Sequence, residues 1–182
     1  MPGKYQNKYR IKSARLPGYD YSCAGLYFIT ICTQNRVHYF GEIIDDKMYL
    51  SNIGVLADAF WHEIKNHSKN TGLHQFTVMP NHIHGILEIV DGGGVETMHA
   101  SSLRPPPKNP TMAKISPKPG SVSRIIGSYK SAVSNHAHRL GYEFEWQPRF
   151  YDHIIRNENE YIRISNYIEN NPKNWTEDKF NK

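Results

Sequence analysis

Two histidines separated by a single residue, His82 and His84, are the sharpest sign of chemistry in this sequence. They open a run of β-branched and aliphatic residues that predicts a strand over 82–90. On a strand, residues i and i+2 point to the same face, so both imidazoles can reach one cation while Ile83 points to the opposite side. Two ligands do not complete a metal site, and ordinary half-exposed strands also contain such pairs.

Other histidine pairs lie on predicted helices and are less suited to metal binding. His62 and His67 are five residues apart, and His136 and His138 are two apart. Neither spacing brings helical side chains onto one face, which needs three or four residues. We interpret these four histidines as surface residues.

The last predicted helix carries a second group of candidates. Tyr167 and Asn171 are four residues apart, so they share a helix face, beside an apolar stripe that includes Ile164 and Ile168. The Asn171 side chain can offer a carbonyl oxygen to a hard cation. The Tyr167 phenol can act as a nucleophile, or it can simply form an amphipathic edge of the core.

The elements that must position these residues follow from hydrophobic periodicity, capping residues and turn residues. Their order is β-β-α-β-β, a long loop, then α-β-α, which predicts an α+β domain with a largely antiparallel sheet and helices packed on one face. Strands are predicted over 26–33, 41–50 with a turn at Asp45-Asp46, 73–79, 82–90 and within 144–155, and helices over 52–67, 121–140 and 157–171.

The positive charge is concentrated in two stretches. The net charge is +5, yet residues 1–19 alone carry five basic and no acidic side chains, and residues 97–142 carry seven basic and none acidic. The intervening and following segments are net acidic. This pattern favours a polyanionic partner. The candidate phosphate contacts are Lys4, Lys8, Arg10 and Arg15 in the first stretch and Arg124 and Lys130 in the second, although a solvated tail or helix face accounts for each residue equally well or better.

Composition sets the class and the domain organisation. A hydrophobic content of 38% is enough for a core, whereas the longest apolar run, near Ala24 to Cys32, is too short to span a membrane. Two cysteines and no visible signal peptide favour a cytoplasmic protein. We predict a basic arm over 1–20, one domain over 21–175 and a tail over 176–182. A mobile insertion rich in proline and glycine is predicted over 91–120.

Five ordered motifs resemble one family. Met79–Leu87 (MPNHIHGIL) resembles the His-hydrophobic-His signature of transposases that act on single-stranded DNA with one catalytic tyrosine, and Tyr27–Arg36 (YFITICTQNR) is similar to their opening strand. Arg15–Tyr21 (RLPGYDY), Phe150–Arg156 (FYDHIIR) and Asn166–Pro172 (NYIENNP) resemble the REP-associated branch. The resemblance runs from Arg15 to Trp175, apart from the insertion.

The resemblance implies a fold and a set of site residues. The fold is the ferredoxin-like, RRM-like antiparallel sheet of the His-hydrophobic-His endonucleases. His82 and His84 match the two metal-binding histidines, and Tyr167 matches the nucleophile. Insertion-sequence relatives have a metal-binding glutamine at the position of Asn171, which is an amide one methylene shorter. Tyr151 is the rival nucleophile, but it precedes the helix.

The resemblance also implies a reaction, a cofactor and a partner. The reaction is metal-dependent cleavage and rejoining of single-stranded DNA through a 5′-phosphotyrosine, with Mg²⁺ or Mn²⁺ as the cofactor. The implied substrate is single-stranded or hairpin DNA, by analogy with REP-like palindromes, or the ends of a self-mobilising insertion sequence. The active form is a monomer or a homodimer.

Two other functions fit the same residues. A non-catalytic module that binds single-stranded or hairpin nucleic acid would need the fold but not the tyrosine chemistry. A metallohydrolase using His82 and His84 would release hydrolysed products without a covalent intermediate.

Overall fold

The computed structural model describes residues 19–90 and 117–181, together with the backbone of two short strands near the N-terminus. The elements follow the predicted order closely. They are β1 Lys4–Tyr5, β2 Lys8–Tyr9, β3 Gly25–Cys32, β4 Gly41–Ile44, β5 Lys47–Leu50, α1 Asn52–His67, β6 Thr71–Met79, β7 His82–Ile89, α2 Val122–Arg139, β8 Tyr151–Ile155 and α3 Glu158–Asn170.

The main sheet has four antiparallel strands in the order β6-β7-β3-β8. Strand β7, which carries the histidine pair, lies inside the sheet between β6 and β3, with Thr30 of β3 opposite His84. A separate hairpin, β4–β5, turns at Asp45 and Asp46, both of which have the left-handed conformation of a two-residue hairpin turn. The prediction of an α+β fold built on an antiparallel sheet is confirmed.

The helices cover both faces of the sheet. Side chains at odd positions of β3, such as Ile29 and Ile31, form the main core with α1 and α2. Phe28, at an even position, faces the other way and packs with Ile86 and Ile168 beneath α3. Two helices therefore share one face as expected, while the helix that carries Tyr167 lies on the opposite face. Strand β7 is buried along nearly all of its length, and a strand that is apolar on both sides needs a cover on each.

Glycine follows the histidine pair because the core leaves no room for a side chain there. A Cβ atom on Gly85 would lie 2.3 Å from Cζ2 of Trp61. The Trp61 indole is fully buried and stacks on Phe76 with ring centroids 4.6 Å apart. Close packing of α1 against β7 thus requires glycine immediately after His84.

A polar network holds the middle of α3 against the sheet. A bulge in β6 brings His74 and Gln75 towards the helix. The His74 ring joins the Tyr161 hydroxyl, 3.1 Å from Nδ1, to the Glu88 carboxylate, 3.0 Å from Nε2. The hydroxyls of Tyr161 and Ser165 also donate to Oε1 of Gln75, at 3.1 and 3.4 Å. These bonds fix the position of α3 relative to β6 and β7.

The start of α3 is fixed by a side-chain cap at Asn157. Oδ1 of Asn157 accepts a hydrogen bond from the backbone N–H of Glu160 at 2.9 Å, and the Glu160 carboxylate accepts one from the N–H of Arg156. Replacing Asn157 with alanine should lower the free energy of unfolding by about 1 kcal/mol, because the Glu160 N–H loses its partner. Chemical denaturation measures this loss. Asn159→Ala, an exposed site in the same turn, is the control, and equal destabilisation by both changes would contradict the prediction.

Some predicted features fall outside the described residues. These are Arg10 and Arg15 of the basic arm and residues 91–116 of the predicted insertion. Within the arm, β1 and β2 pair antiparallel, which its sequence pattern does not predict. Across the described ranges, no helix is both long and apolar enough to cross a membrane.

Candidate active site

The two histidines of β7 meet on the α3 face of the sheet. His82 and His84 are almost completely buried, and their Nε2 atoms lie 3.1 Å apart. Ile83 points to the opposite face and belongs to the main core. The alternation predicted from the sequence therefore places both imidazoles side by side.

A hydrogen bond from His82 fixes which of its ring nitrogens is free. Nδ1 of His82 lies 2.9 Å from Oδ1 of Asn81, and the Asn81 amide nitrogen donates to the main-chain oxygens of Arg36 and Phe180, at 3.2 and 2.8 Å. Because the amide nitrogen of Asn81 donates to two carbonyl oxygens, the orientation of the amide is fixed and its Oδ1 faces His82. An amide oxygen can only accept a hydrogen bond. Nδ1 of His82 must then carry the proton, so Nε2 presents its lone pair towards His84.

Strand β3 orients the second imidazole. Nδ1 of His84 lies 2.9 Å from the Thr30 hydroxyl, and the His84 ring stacks on Phe28 with centroids 5.2 Å apart. A hydroxyl can donate or accept, so Thr30 suits either tautomer. When Thr30 accepts, both Nε2 lone pairs converge on one point, which is the arrangement that a shared cation requires.

Burial keeps both imidazoles neutral. It lowers the pKa of His82 well below its ordinary value, and the neighbouring His84, Arg36 and Lys179 lower it further. Burial likewise lowers the pKa of His84 to about 3, with a smaller contribution from Lys179. Neutral imidazole is the form that binds metal ions, so the pair is in that form at neutral pH.

The hydroxyl of Tyr167 reaches the histidine pair from α3 of the same chain. It lies 3.2 Å from Nε2 of His84, and the two rings are in contact with centroids 5.2 Å apart. The tyrosine is 39% exposed, so one side of the phenol remains open to solvent. Burial of the other side and the charge of Asp178 raise the pKa of Tyr167, while hydrogen bonding from Asn171 opposes this rise. The phenol is therefore protonated at neutral pH.

Asn171 closes the site at the end of α3. Its side chain is 1% exposed, and its amide nitrogen donates to Oδ2 of Asp178 at 3.3 Å. That bond leaves Oδ1 as the free acceptor, and this buried oxygen has no hydrogen-bond partner among the described residues. A buried carbonyl oxygen without a partner is costly unless it binds something else.

These donors fit a divalent cation. The donor set is two neutral imidazoles and one amide oxygen, which suits Mn²⁺ well and Mg²⁺ less well. Across the ranges that the structure describes, no cluster of three or more histidine, cysteine, aspartate or glutamate side chains is placed to hold a metal ion. An amide oxygen such as Oδ1 of Asn171 is not among the groups of such a cluster.

The structure does not bring the predicted phosphate contacts to this site. Lys4 and Lys8 lie in β1 and β2. Arg124 is exposed on α2, across the sheet from the histidines. Nζ of Lys130 donates to the main-chain oxygens of Gln147 and Arg149, at 2.8 and 3.0 Å, so this side chain braces the loop before β8. Tyr151, the rival nucleophile, is exposed on the edge strand β8, where its ring contacts Phe28.

Sequence reasoning missed the residues that orient the site. Thr30, Asn81 and Asp178 hold the two histidines and Asn171, and Phe180 packs on the His82 ring with centroids 4.4 Å apart. Asn81 follows Pro80, and a Pro-Asn pair is typical of an ordinary turn. Asp178 and Phe180 lie in the segment predicted as a tail, where no local pattern marks a contact with β7.

Removing the Asn81 side chain should weaken metal binding. Asn81→Ala frees the tautomer of His82, and loss of such an outer hydrogen bond typically lowers metal affinity about 10- to 100-fold. Titration of Mn²⁺ followed by electron paramagnetic resonance measures the affinity, and ¹⁵N shifts report the tautomer. Asn135→Ala on α2 is the control. Unchanged Mn²⁺ affinity with a folded variant would refute the role of Asn81.

A solved structure has the same fold. It is a REP-associated tyrosine transposase bound to a REP hairpin, 18% identical in sequence, and the match covers 91% of this chain and 74% of that chain with a TM-score of 0.57. The chain therefore has the fold of the single-tyrosine transposases with the His-hydrophobic-His pattern, as the sequence motifs predict.

Sequence comparison places the chain in a family. An uncharacterized protein of Haemophilus influenzae is 34% identical over 169 residues, which is 92% of this chain and 91% of that protein. The chain belongs to the same family as that protein. No family model matches the chain.

Proposed function

We propose that this protein is a metal-dependent transesterase that cleaves and rejoins single-stranded DNA through a covalent bond to Tyr167. One observation carries the proposal: the Tyr167 hydroxyl lies 3.2 Å from Nε2 of His84, beside the paired His82. A phenol, two neutral imidazoles and an unpartnered amide oxygen on one face of a transposase fold are the parts that this reaction needs.

The tyrosine supplies the nucleophile. The Tyr167 oxygen attacks a backbone phosphorus and forms a new P–O bond, while the bond from phosphorus to the 3′ oxygen breaks. The phenolic proton passes to water and the departing 3′ oxygen takes up a proton, so the products are a 3′-OH and a 5′-phosphotyrosine. Phenolate is a tolerable leaving group, so a later 3′-OH can reverse the step and rejoin the strand.

The surrounding residues orient the reacting groups. Thr30 and Asn81 hold the two imidazoles, and the rings of Phe28 and His84 pack against the ring of Tyr167 and position its hydroxyl. A divalent cation held by His82, His84 and Asn171 would draw negative charge from a phosphate oxygen. Asp178 keeps Oδ1 of Asn171 free by binding its amide nitrogen. Because these groups are fixed before DNA arrives, little reorganisation is needed during attack.

A palindromic hairpin is the substrate we favour. The solved transposase with this fold is bound to a REP hairpin, and the Arg15–Tyr21, Phe150–Arg156 and Asn166–Pro172 motifs resemble the same branch. The function proposed for this chain is therefore transposition or recombination of short palindromic DNA elements.

A direct test incubates the purified protein with end-labelled DNA that contains a hairpin and a single-stranded flank, in the presence of Mn²⁺. A labelled protein band that survives denaturation supports the proposal. Tight binding without such a band, under Mn²⁺ and Mg²⁺ and across a panel of hairpins, would instead favour a non-catalytic binding module. Free cleaved DNA with no adduct would favour a hydrolase.

A further inference from the structure

Two cationic side chains lie beside the histidine pair and have no role in the reaction proposed above. The guanidinium carbon of Arg36 lies 4.7 Å from the centroid of the Phe180 ring, and Nζ of Lys179 lies 4.9 Å from it. The Phe180 ring in turn packs on His82 at 4.4 Å.

The position of Arg36 is built into the fold. Asn35 and Arg36 have φ angles of 51° and 57°, the left-handed region that residues with a Cβ rarely occupy. Hydrogen bonds hold both the main chain and the side chain of Arg36. Its main-chain oxygen accepts from the Asn81 amide, and its Nη1 donates to the main-chain oxygen of Lys179 at 2.9 Å. Consecutive strained residues of this kind persist where the surroundings fix them, and they cluster at ligand sites.

Neither cation is neutralised within the described structure. Among residues 19–90 and 117–181, no carboxylate oxygen lies within 4.0 Å of the Arg36 guanidinium or of Nζ of Lys179. One main-chain oxygen occupies a single N–H of Arg36, which leaves other donors of the guanidinium available. Two cations without a carboxylate partner in this part of the structure suit an anionic ligand, and guanidinium matches the geometry of a phosphate.

We propose that Arg36 and Lys179 form a subsite for a backbone phosphodiester of single-stranded DNA, next to the phosphate that Tyr167 attacks. This inference rests on the proposed function and adds the residues that hold the strand beside the reacting phosphorus. Phe180 lies under both cations and supports them over His82.

Salt dependence of binding tests the subsite. The full chain carrying Tyr167→Phe, which prevents covalent capture, is titrated with a fluorescent 15-nucleotide oligothymidylate in Mn²⁺ at several salt concentrations. Each phosphate contact contributes about 0.7 to the slope of log affinity against log salt for single strands. We expect Arg36→Gln to reduce the slope by about that amount and to lower affinity about 5- to 10-fold at low salt. Lys179→Gln should act in the same direction, and Arg36→Lys should retain the slope.

A charge-matched variant provides the control. Lys65→Gln removes one exposed cation at the end of α1, on the other side of the sheet. If Arg36→Gln and Lys179→Gln change the slope no more than Lys65→Gln does, the subsite is refuted while the proposed function stands. If the parent chain binds no oligothymidylate and no hairpin, the proposed function itself fails. If Arg36→Gln does not fold, Lys179→Gln still tests the subsite, because Lys179 is exposed and its replacement should not disturb the fold.

Discussion

Tyr167→Phe is expected to abolish the covalent adduct between this protein and single-stranded hairpin DNA. The substitution removes one oxygen atom, the one that lies 3.2 Å from Nε2 of His84. Removing a catalytic nucleophile lowers the rate about 10⁴-fold or more. Binding should stay within about twofold, because the phenyl ring keeps its contacts with Phe28 and His84. A denaturing gel measures the adduct, and fluorescence anisotropy measures binding.

Two other tyrosines serve as matched controls. Tyr151→Phe alters the rival phenol, which is exposed on β8. Tyr161→Phe alters a phenol on the same helix as Tyr167, where the hydroxyl contacts His74 and Gln75. Both variants should still form the adduct, although Tyr161→Phe should loosen α3. An adduct that persists in Tyr167→Phe and disappears in Tyr151→Phe would show that Tyr151, on the edge strand, is the nucleophile.

Replacing either histidine of β7 with alanine should remove both metal binding and adduct formation. The two buried Nε2 atoms lie 3.1 Å apart, and both are proposed ligands of the same cation. Removing either imidazole therefore removes one of the three protein ligands. Loss of a direct ligand should cost more than the roughly 10- to 100-fold typical of outer-shell changes. Because a ligand that binds only the folded state stabilises it, Mn²⁺ at 100 times its dissociation constant should add about 2.7 kcal/mol to the wild type and far less to either variant.

Thermal melting with and without Mn²⁺ measures this effect separately from activity. His67→Ala is the control, since His67 is exposed at the end of α1. A chelator should return the wild type to the melting behaviour of the variants. Stabilisation by Mn²⁺ that survives in both His82→Ala and His84→Ala would show that the cation binds elsewhere.

Local sequence patterns predicted the elements of this fold because the relevant forces act within each element. The alternation around Ile83 placed His82 and His84 on one face, and the cap at Asn157 fixed the start of α3. The four-residue spacing placed Tyr167 and Asn171 together. These features depend on backbone geometry alone, so a single sequence is enough to predict them.

The remaining features depend on contacts between residues far apart in the chain. The bond between Asn171 and Asp178 and the packing of Phe180 on His82 have no local signature. Lys130 is predicted as a phosphate contact from its charge, yet its ammonium group binds two main-chain oxygens near Trp146. The side of the sheet taken by α3 follows from the need to cover both faces of β7, which becomes clear only once the strand order is known.

The stoichiometry of the proposed reaction follows from the position of Tyr167. The hydroxyl and both histidines belong to one chain, so a single molecule can start cleavage and the rate per molecule should not depend on protein concentration. One phenol can carry only one DNA end at a time. The other DNA end is a free 3′-OH that is not covalently bound to the protein. Base pairing in the hairpin or non-covalent contacts with the protein must therefore keep this end near Tyr167 for rejoining.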